Sequence, residues 1–378
     1  MNILIAPDKF KYSLSSAEAS DAIKKGLLKA SKDFKIQILP MADGGEGLSD
    51  VIKSCISAVE HPVTVSDPLF RSIKSSFLIS KDGKTAFIEM AKASGLLLLK
   101  PEERNCMLTS TLGTGELIRA AINPGVEKII LGIGGSATNE AGIGMATALG
   151  YRFLDASGKE LRPIGQNLAK IATIDDSKSI DVKHIDFKVA CDVDNPLYGK
   201  NGASLVYSKQ KGASKEETDL LEKGMIHFAG ILEKHFGRDM QQIKGSGAAG
   251  GLGAACVAFL GADLLSGIEL VLKINKAEEY IRQADLVVTG EGKIDEQSLN
   301  GKAISGLAKL CKKHQKPLIA FCGALSLSDQ ELQSIGVQKV YVITPPSISR
   351  ADPYTNAAKF LADAAFASGK QLLHDKIK

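Results

Sequence analysis

Three apolar segments that are typical of β-strands are each followed directly by acidic residues. The following segments are residues 8–11 (DKFK), 43–47 (DGGEG) and 290–295 (GEGKID). In open α/β sheets, ligands bind outside the carboxyl ends of the strands, where the connecting loops converge. A purely structural loop would more often carry Ser, Asn or Pro. We therefore expect the three acidic turns to form one shared site.

Two glycine-rich turns offer a different chemistry. The first, residues 132–139 (GIGGSATN), follows the apolar run Ile129–Leu131 and precedes a predicted helix. Successive backbone N–H groups in such a turn can hold a phosphate group, so this segment is a phosphate-loop candidate. The second, residues 245–251 (GSGAAGG), leads into an apolar helix. It fits phosphate binding and close helix packing equally well, and both interpretations stay open.

A further carboxylate follows the predicted strand Phe187–Ala190, in residues 191–196 (CDVDNP). Asp192 and Asp194 would point to opposite faces of an extended chain, so only one is expected to enter a site. We assign that position to Asp192. None of the six histidines lies in a strand-end motif, and nothing resembles a nucleophile elbow, so Ser-His-Asp hydrolase chemistry is disfavoured.

Acids, lysines and phosphate loops together are typical of phosphoryl transfer. Carboxylates hold Mg²⁺, which keeps several waters and bridges phosphate oxygens. Lysines and backbone N–H groups neutralise charge on the transferred group, and one free carboxylate orients or deprotonates the acceptor hydroxyl. Each residue type in these segments therefore has a task in such a reaction.

A dinucleotide-binding fold is the second interpretation of the glycine turns. Both turns fit G-x-G-x-x-G/A, and Asp155 ends a possible strand downstream of the first. That pattern is weak when it stands alone, and a nicotinamide enzyme has no need of acidic strand ends elsewhere. A Walker-type P-loop, G-x-x-x-x-G-K-[ST], is also excluded. Gly83-Lys84 is the only Gly-Lys pair of the sequence that is followed by Ser or Thr, and the first glycine of the motif would then be at position 78, where the chain has Leu78.

The two ends of the chain look alike, and the middle differs. Strand and helix patterns alternate from the N-terminus and again from Ala284, which indicates parallel strands joined by helices. Between them, residues 81–83 (KDG) predict an antiparallel hairpin. We predict an α/β fold of two domains. Residues 1–67 and 283–378 form a discontinuous, doubly wound parallel-sheet domain of Rossmann or flavodoxin type, and residues 68–282 form an inserted mixed α/β domain. The alternative is two consecutive domains split near residue 210.

Composition excludes several classes of protein. The formal net charge of +4 is too small to indicate nucleic acid or an anionic membrane as the main partner. The longest apolar stretch, residues 247–262, is short of the roughly 20 residues needed to cross a bilayer. The six cysteines have no disulfide or zinc spacing, and the first apolar run is too short for a signal peptide. We expect a soluble cytoplasmic protein with reduced thiols.

Taken together, these motifs resemble those of the type-1 glycerate kinases of bacteria, in the same order and over nearly the whole chain. The matching segments are residues 6–11 (APDKFK), 41–47 (MADGGEG), 109–116 (TSTLGTGE), 132–139 (GIGGSATN), 191–197 (CDVDNPL) and 289–295 (TGEGKID). The family pattern usually has Gly, Arg and Asp-Gly where this chain has Tyr12, Lys293 and Glu140-Ala141.

The resemblance implies ATP-dependent phosphorylation of D-glycerate to 2-phosphoglycerate, in a two-domain α/β fold with one domain inserted in the other. We expect ATP and glycerate to meet between the domains. The site residues that we infer are, for catalysis, Asp192, Lys9 and Asp295; for ATP and phosphate, Lys9, Gly134, Gly135, Ser136, Thr138 and Asn139; for glycerate, Lys11, Arg71 and Asp8; and for Mg²⁺, Asp43, Glu46 and Glu291, with Asp295 as a further candidate.

ATP and Mg²⁺ are the expected cofactors, and glycerate is the expected partner, without nucleic acid or membrane. A homodimer is one option for the assembly. A two-lobed sensor that binds glycerate but consumes no ATP is a third interpretation, beside the kinase and the nicotinamide enzyme. The sequence alone does not decide whether the 2- or the 3-hydroxyl accepts the phosphoryl group.

Overall fold

The computed structural model describes residues 1–10, 13–41, 52, 58–122, 125–299, 303–344 and 356–375. The chain divides into two compact units. The first, which we call the terminal unit, comprises the described residues of 1–43, 50–55 and 268–378. The second, the central unit, comprises the described residues of 56–267. Both ends of the chain therefore lie in one unit.

The secondary structure is α/β, and its elements are numbered in chain order over the described residues. The strands are β1 (Asn2–Ile5), β2 (Lys35–Ile38), β3 (Ala58–Ser66), β4 (Ser72–Ser80), β5 (Thr85–Glu89), β6 (Lys128–Gly132), β7 (Arg152–Leu154), β8 (Thr173–Asp175), β9 (Asp186–Ala190), β10 (Asp263–Leu265), β11 (Leu286–Ile294), β12 (Leu318–Leu325) and β13 (Lys339–Val342). The α-helices are α1 (Ser16–Ala30), α2 (Ala91–Ser94), α3 (Leu112–Ala121), α4 (Ile143–Ala148), α5 (Ala203–Tyr207), α6 (Lys215–Phe236), α7 (Ala248–Leu260), α8 (Gly267–Ile274), α9 (Ala277–Gln283), α10 (Ala303–Lys313), α11 (Asp329–Ser334) and α12 (Ala357–Asp375).

The terminal unit is built on a five-stranded parallel sheet in the order β13-β12-β11-β1-β2. Ile3 and Ile5 pack with residues of α1 and α12 on one face. Leu4, between them, is equally buried and points to the opposite face, so both faces of the sheet are covered. This is the parallel sheet that the alternating strand and helix pattern predicts.

The central unit contains a six-stranded mixed sheet in the order β10-β9-β6-β5-β4-β3. Strands β4 and β5 form the predicted antiparallel hairpin, with Leu78 opposite Phe87. Strands β5, β6, β9 and β10 then run parallel to one another. The expected mixed α/β architecture is therefore confirmed, and the carboxyl ends of β6 and β9 lie at the same edge of the sheet.

The units differ from the predicted domain boundaries at two places. Strand β3, which lies before residue 67, pairs with β4 along nine residue pairs and so belongs to the central unit. Helix α8 and nearly all of α9 lie before residue 283, but from Ile268 onward this segment belongs to the terminal unit, where Ile268 and Leu272 pack on Gly306 of α10. Local sequence patterns do not report such long-range pairing.

Two further features bear on the expectations from composition. Within the described ranges, no helix is long and apolar enough to cross a membrane. Five of the cysteines, at positions 106, 191, 256, 311 and 322, are described, and all five are free thiols.

Candidate functional site

Two buried acidic residues lie on neighbouring segments at the carboxyl edge of the terminal unit's sheet. Asp8 and Glu291 are only 6% and 7% exposed. The backbone N–H of Asp8, in the segment after β1, donates to the carbonyl of Gly290 in β11 at 2.8 Å, and Glu291 follows Gly290 directly. Two of the three predicted acidic segments therefore meet at one sheet edge, because β1 and β11 are parallel neighbours.

Local hydrogen bonds orient both carboxylates. Asp8 Oδ1 accepts the backbone N–H of Lys9 at 2.7 Å, and Glu291 Oε1 accepts the hydroxyl of Ser298. Strand β11 continues to Ile294, so Glu291 lies inside a strand and not in a turn after it. Asp295 forms an ion pair with Lys293, whose Nζ lies 3.1 Å from Asp295 Oδ2.

Three of the predicted site residues, Lys11, Asp43 and Glu46, lie outside the described residues, as does Tyr12. Among the residues that the structure does describe, no group of three or more His, Cys, Asp or Glu side chains could hold a metal ion. The described part of the acidic site is thus the pair Asp8 and Glu291, with Lys9 and Asp295 next to them in the chain.

The predicted phosphate loop follows β6 in the central unit, and its apex faces solvent. Gly134 is half-buried and Gly135 is exposed. Gly135 has φ +74°, a left-handed conformation that glycine adopts without steric cost. On both sides of Ser136 the backbone is bonded to the end of α2 and the turn after it: Ala137 N–H donates to Ser94 O, and Leu96 N–H donates to Gly135 O, each at 2.9 Å. The loop is therefore held in place with only its tip accessible.

The second half of this loop is buried. Thr138 and Asn139 have no exposed surface, and Asn139 Nδ2 donates to Ser204 Oγ at 3.0 Å. Thr138 Oγ1 and Asn139 Oδ1 are buried without a hydrogen-bond partner in the described part of the chain. Of the five loop residues predicted to bind phosphate, the structure thus brings Gly134, Gly135 and the edge of Ser136 to the surface, and it places Thr138 and Asn139 in the core.

Glu140 connects the loop to α4. Its carboxylate accepts N–H bonds from Gly142 at 2.9 Å and Gly144 at 2.6 Å, together with the hydroxyl of Thr111 at 2.9 Å. Because the side chain is fully buried, desolvation outweighs these bonds and raises the pKa of Glu140 to about 7. This carboxylate acts on backbone N–H groups of the protein itself, and it fixes the start of the helix that follows the loop.

Lys211 is a component of this site that sequence reasoning missed. It ends a 3₁₀ helix of residues Lys209–Lys211, and its Nζ donates to Ser136 Oγ at 2.6 Å and to Thr138 O at 2.7 Å. The residue is 3% exposed, and this burial lowers the pKa of Lys211 to about 8. The segment KQKG at residues 209–212 reads as a solvated turn, so the sequence carries no signal for this contact.

The second glycine turn is a packing element. A Cβ on Gly250 would lie 2.1 Å from Thr138 O, and one on Gly247 would lie 2.1 Å from Pro196 O. Ala141 N–H donates to Gly250 O at 2.9 Å, which joins the two glycine turns through their backbones. Of the two interpretations that the sequence left open, the structure therefore supports close packing.

Asp192 follows β9 at the edge where the glycine loop follows β6. Gly132 pairs with Ala190, so Gly134 and Asp192 each lie two residues beyond the same pair. Asp192 is exposed, and its Oδ1 accepts the backbone N–H of Gly267 at 2.7 Å. Asp194 is also exposed, and its carboxylate lies 3.7 Å from Lys244 Nζ.

Arg71, which was predicted as a cation for the substrate, is already engaged by two carboxylates. Its guanidinium contacts Asp67 at 2.5 Å and Glu103 at 2.6 Å. These partners raise the pKa of Arg71, and Asp67 also accepts the backbone N–H groups of Leu69 and Arg71. The positive charge of Arg71 therefore serves a turn in the central unit, a contact that depends on residues 32 positions apart and has no local signature.

The dinucleotide interpretation loses its structural context. Strand β7, which ends before Asp155, pairs antiparallel with β8 in a separate two-stranded sheet, whereas the dinucleotide motif needs the next parallel strand. The Asp155 carboxylate accepts the backbone N–H groups of Ser157 and Lys159 in a tight turn. It is a turn residue rather than a ribose ligand.

The sequence and the fold are both similar to known proteins. A protein of Bacillus subtilis (strain 168) named glycerate kinase is 42% identical over 372 residues, covering 97% of this chain and 96% of the relative. A protein of Escherichia coli (strain K12) named glycerate 2-kinase is 44% identical over 345 residues, covering 91% of this chain and 90% of the relative.

The crystal structure of a glycerate kinase 2 candidate from Salmonella typhimurium LT2 superposes with a TM-score of 0.88 at 39% identity, over 100% of both chains. The family model described as the glycerate kinase family matches residues 3–372. On these motifs, this fold and these relatives, the chain belongs to the glycerate kinase family.

Proposed function

We propose that this protein is a glycerate 2-kinase, which transfers the γ-phosphoryl group of ATP to the 2-hydroxyl of D-glycerate. In this reaction a bond forms between the glycerate oxygen and the γ-phosphorus, and the bond from the γ-phosphorus to the bridging oxygen of ADP breaks. Membership of the family supports the reaction class, and the relative from Escherichia coli carries the name of this activity.

The observation that carries the proposal within this chain is the solvent-facing apex of the glycine loop after β6. Gly135 leaves room beside the backbone, since a Cβ there would meet only Ala91 Cβ, at the ordinary contact distance of 3.6 Å. Backbone N–H groups in such a loop can donate to phosphoryl oxygens. Fixed donors of this kind stabilise charge on a transferred group because they need no reorganisation during the reaction. We assign ATP phosphates to Gly134, Gly135 and Ser136, with Lys9 as a further cation.

Buried carboxylate oxygens suit Mg²⁺, which is held in kinases by one or two carboxylates together with waters and substrate phosphates. Glu291 offers one such group, and Asp8 offers another at the same sheet edge. We propose Glu291, Asp43 and Glu46 as ligands, with Asp295 as an additional candidate. The ion, when bound, neutralises charge on the phosphate oxygens.

Asp192 is our candidate for the group that orients the acceptor hydroxyl and accepts its proton. It is exposed, and it leaves the same sheet edge as the glycine loop. The glycerate carboxylate needs a cation, and we assign it to Lys11, with Asp8 as a hydrogen-bond acceptor for a substrate hydroxyl. Arg71 is the weaker candidate because Asp67 and Glu103 already balance its charge.

The proposed reaction consumes ATP, which supports a cytoplasmic location, and it needs no nucleic acid or membrane partner. A homodimer is our proposal for the assembly in solution. Light scattering on the purified protein would measure its mass directly against the 40.0 kDa of one chain.

The test combines ATP and Mg²⁺ with a panel of small hydroxy acids and identifies any phosphorylated product by NMR. We expect 2-phosphoglycerate from D-glycerate and no turnover without Mg²⁺. A spectrum that contains 3-phosphoglycerate would contradict the regiochemistry. Binding of glycerate without ATP consumption would favour the sensor, and hydride transfer to NAD would contradict phosphoryl transfer altogether.

The role of Asp192 is tested by Asp192→Asn, with Asp194→Asn as the matched control two residues away. A general base contributes about 10² to 10⁴ in rate, so kcat of Asp192→Asn should fall on that scale while the control stays near wild type. A loss of less than about tenfold would remove Asp192 from this role.

A further inference from the structure

Lys211 is a cation buried directly beneath the glycine loop. Only 3% of its surface is exposed, and its Nζ touches two groups of that loop, Ser136 Oγ and Thr138 O. Its own backbone is also fixed, because Cys106 N–H donates to Lys211 O at 3.1 Å and Gly212 follows with φ +90°. The ammonium group therefore has one defined position relative to the loop.

Among the described residues, Lys211 has no direct ion-pair partner, although the buried carboxylate of Glu140 acts on it from a longer distance. Within the described ranges, no carboxylate oxygen lies within 4.0 Å of Lys211 Nζ, and both of its hydrogen-bond acceptors are neutral. Burying a charge without an opposite charge is costly, and proteins usually avoid it by pairing. A lysine that is buried without a direct ion pair, beside a solvent-facing loop, would be stabilised by an anion bound at that loop.

The charged and titratable groups that face Lys211 do not change this conclusion. Glu140 carries a carboxylate that is committed to Thr111, Gly142 and Gly144. Burial raises the pKa of the Cys106 thiol to about 11, so this group is neutral near pH 7. The backbone carbonyl of Arg104 lies against Gly212, the residue that follows Lys211.

The contact with Lys211 also determines what the Ser136 hydroxyl can do. A serine hydroxyl has one O–H donor and two acceptor lone pairs. Lys211 Nζ occupies a lone pair of Ser136 Oγ at 2.6 Å, which leaves the O–H to donate elsewhere. Ser136 is 8% exposed and follows the exposed Gly135, so this donor lies at the accessible tip of the loop.

We propose that Lys211 is a positioning residue that orients the Ser136 hydroxyl and gives the glycine loop positive charge for binding a phosphoryl oxygen of ATP. This inference rests on the proposed function and extends it to a residue outside the recognised motifs. A substrate carboxylate has similar chemistry, so the experiment must separate the two anions.

The decisive variant is Lys211→Met, with Lys209→Met as its matched control. Both replace a lysine of the same short helix, but Lys209 is exposed and Lys211 is buried. Calorimetric titration with MgATP should show affinity about ten- to a hundredfold weaker for Lys211→Met, the range expected for losing a hydrogen bond to a charged group. Lys209→Met should bind like the wild type.

The melting temperature distinguishes this role from a merely structural one. If Lys211 served only to stabilise the fold, replacing it would lower the melting temperature. Methionine has a similar length and no charge, so the relief of burying a charge offsets the lost hydrogen bond to Thr138 O, and Lys211→Met should melt near the wild-type temperature while ATP affinity falls. If Lys211→Met melts well below wild type, a second variant, Ser136→Ala, tests the same contact. Ser136→Ala should weaken ATP binding, and adding Lys211→Met to it should cost less than in wild type, because the two residues act as one unit.

The steady-state parameters identify the anion. A phosphoryl contact predicts a raised KM for ATP with the KM for glycerate within about twofold, whereas a carboxylate contact predicts the reverse and would overturn the assignment. Because burial lowers the pKa of Lys211 to about 8, ATP affinity of the wild type should also fall as the pH rises through that value. Lys211→Met should lack this step.

The outcomes separate this inference from the proposed function. If the wild type binds MgATP but does not phosphorylate glycerate, the proposed function fails, and the comparison of Lys211→Met with Lys209→Met still decides the role of Lys211. If glycerate is phosphorylated and both variants bind MgATP equally well, the inference is overturned and the function stands. If the wild type binds no ATP, both are overturned.

Discussion

The two glycine-rich turns of the central unit are alike in sequence and opposite in structure. The loop at residues 132–139 turns its glycines outward at Gly134 and Gly135, and residues 245–251 turn theirs inward. A Cβ at Gly135 would make one ordinary contact, with Ala91 Cβ at 3.6 Å, but at Gly250 it would collide with Thr138 O at 2.1 Å. The second turn thus packs directly against the backbone of the first.

The difference teaches that glycine content alone does not mark a ligand site. Glycine is needed in the first turn because the backbone at Gly135 is left-handed, and in the second because another backbone comes too close for a side chain. The same residue type serves two purposes, and only the neighbours of each Cα distinguish them. Three glycines of nearly equal φ allow this distinction to be tested.

The largest effect is expected for Gly250→Ala. The left-handed φ of +69° costs an alanine about 1 to 2 kcal/mol, and the clash with Thr138 O adds about 1 to 3 kcal/mol of overpacking. Thermal unfolding should show a fall of many degrees. ATP affinity should fall as well, because the carbonyl that must move is one that Lys211 holds.

Gly83→Ala is the matched control for that variant. Gly83 has φ +73° at the hairpin between β4 and β5, and nothing lies within 4 Å of its added Cβ. Gly83→Ala should lose only the conformational part of the unfolding free energy, about 1 to 2 kcal/mol, and should bind ATP like the wild type. Equal destabilisation of the two variants would mean that the close approach at Gly250 contributes nothing.

Gly135→Ala should combine the small stability loss of Gly83→Ala with a functional defect. Its φ is +74° and its Cβ would be nearly free, so the folding cost is again about 1 to 2 kcal/mol. A methyl group at the loop tip would displace the bound phosphate, and MgATP titration should show affinity lowered about tenfold or more. Wild-type affinity in this variant would exclude the tip of the loop from the binding site.

Glu140, which connects the glycine loop to α4, should give stability a distinct pH dependence. Its pKa is raised from 4.5 to about 7 in the folded protein, so the folded state binds the proton more tightly than the unfolded chain does. This contribution is complete below about pH 4.5 and is lost as the pH rises through 7. We therefore expect the melting temperature of the wild type, measured relative to that of Glu140→Gln, to fall as the pH rises from 5 to 8. Parallel curves for the two proteins would contradict the assignment.

The smallest effect is expected for Thr138→Val. The Thr138 hydroxyl is buried without a hydrogen-bond partner among the described residues, and valine has almost the same shape. We expect a gain of up to about 1 kcal/mol in stability and ATP affinity within twofold of wild type, since the carbonyl that Lys211 contacts is retained. Weakened MgATP binding would instead indicate that the Thr138 hydroxyl contributes to the phosphate site.

Periodicity and turn chemistry predicted the local elements well. The predicted Asp82-Gly83 turn joins β4 and β5, because its signal acts over a few residues. The unit boundaries were predicted less well. Strand β3 belongs to the central unit because it pairs with β4, and no pattern within residues 58–66 predicts that partner.

The candidate site follows the same division. The acidic segments at Asp8 and Glu291 were placed on one sheet edge from the order of parallel strands, and the structure has them on neighbouring strands. The charge of Arg71 makes it a substrate candidate in the sequence, but only the structure shows that Asp67 and Glu103 already bind its guanidinium. Thr138 and Asn139 were chosen for their position in a motif, but both are buried.

By itself, the sequence determined the α/β class, the order of its elements, and the segments in which chemistry could occur. These follow from side-chain period, capping and turn residues, which act locally along the chain. The tertiary structure alone decided which glycine turn faces solvent, which charges are already paired, and that Lys211 lies under the loop. Those properties depend on desolvation and on contacts between residues distant in the chain, such as the 75 positions that separate Ser136 from Lys211.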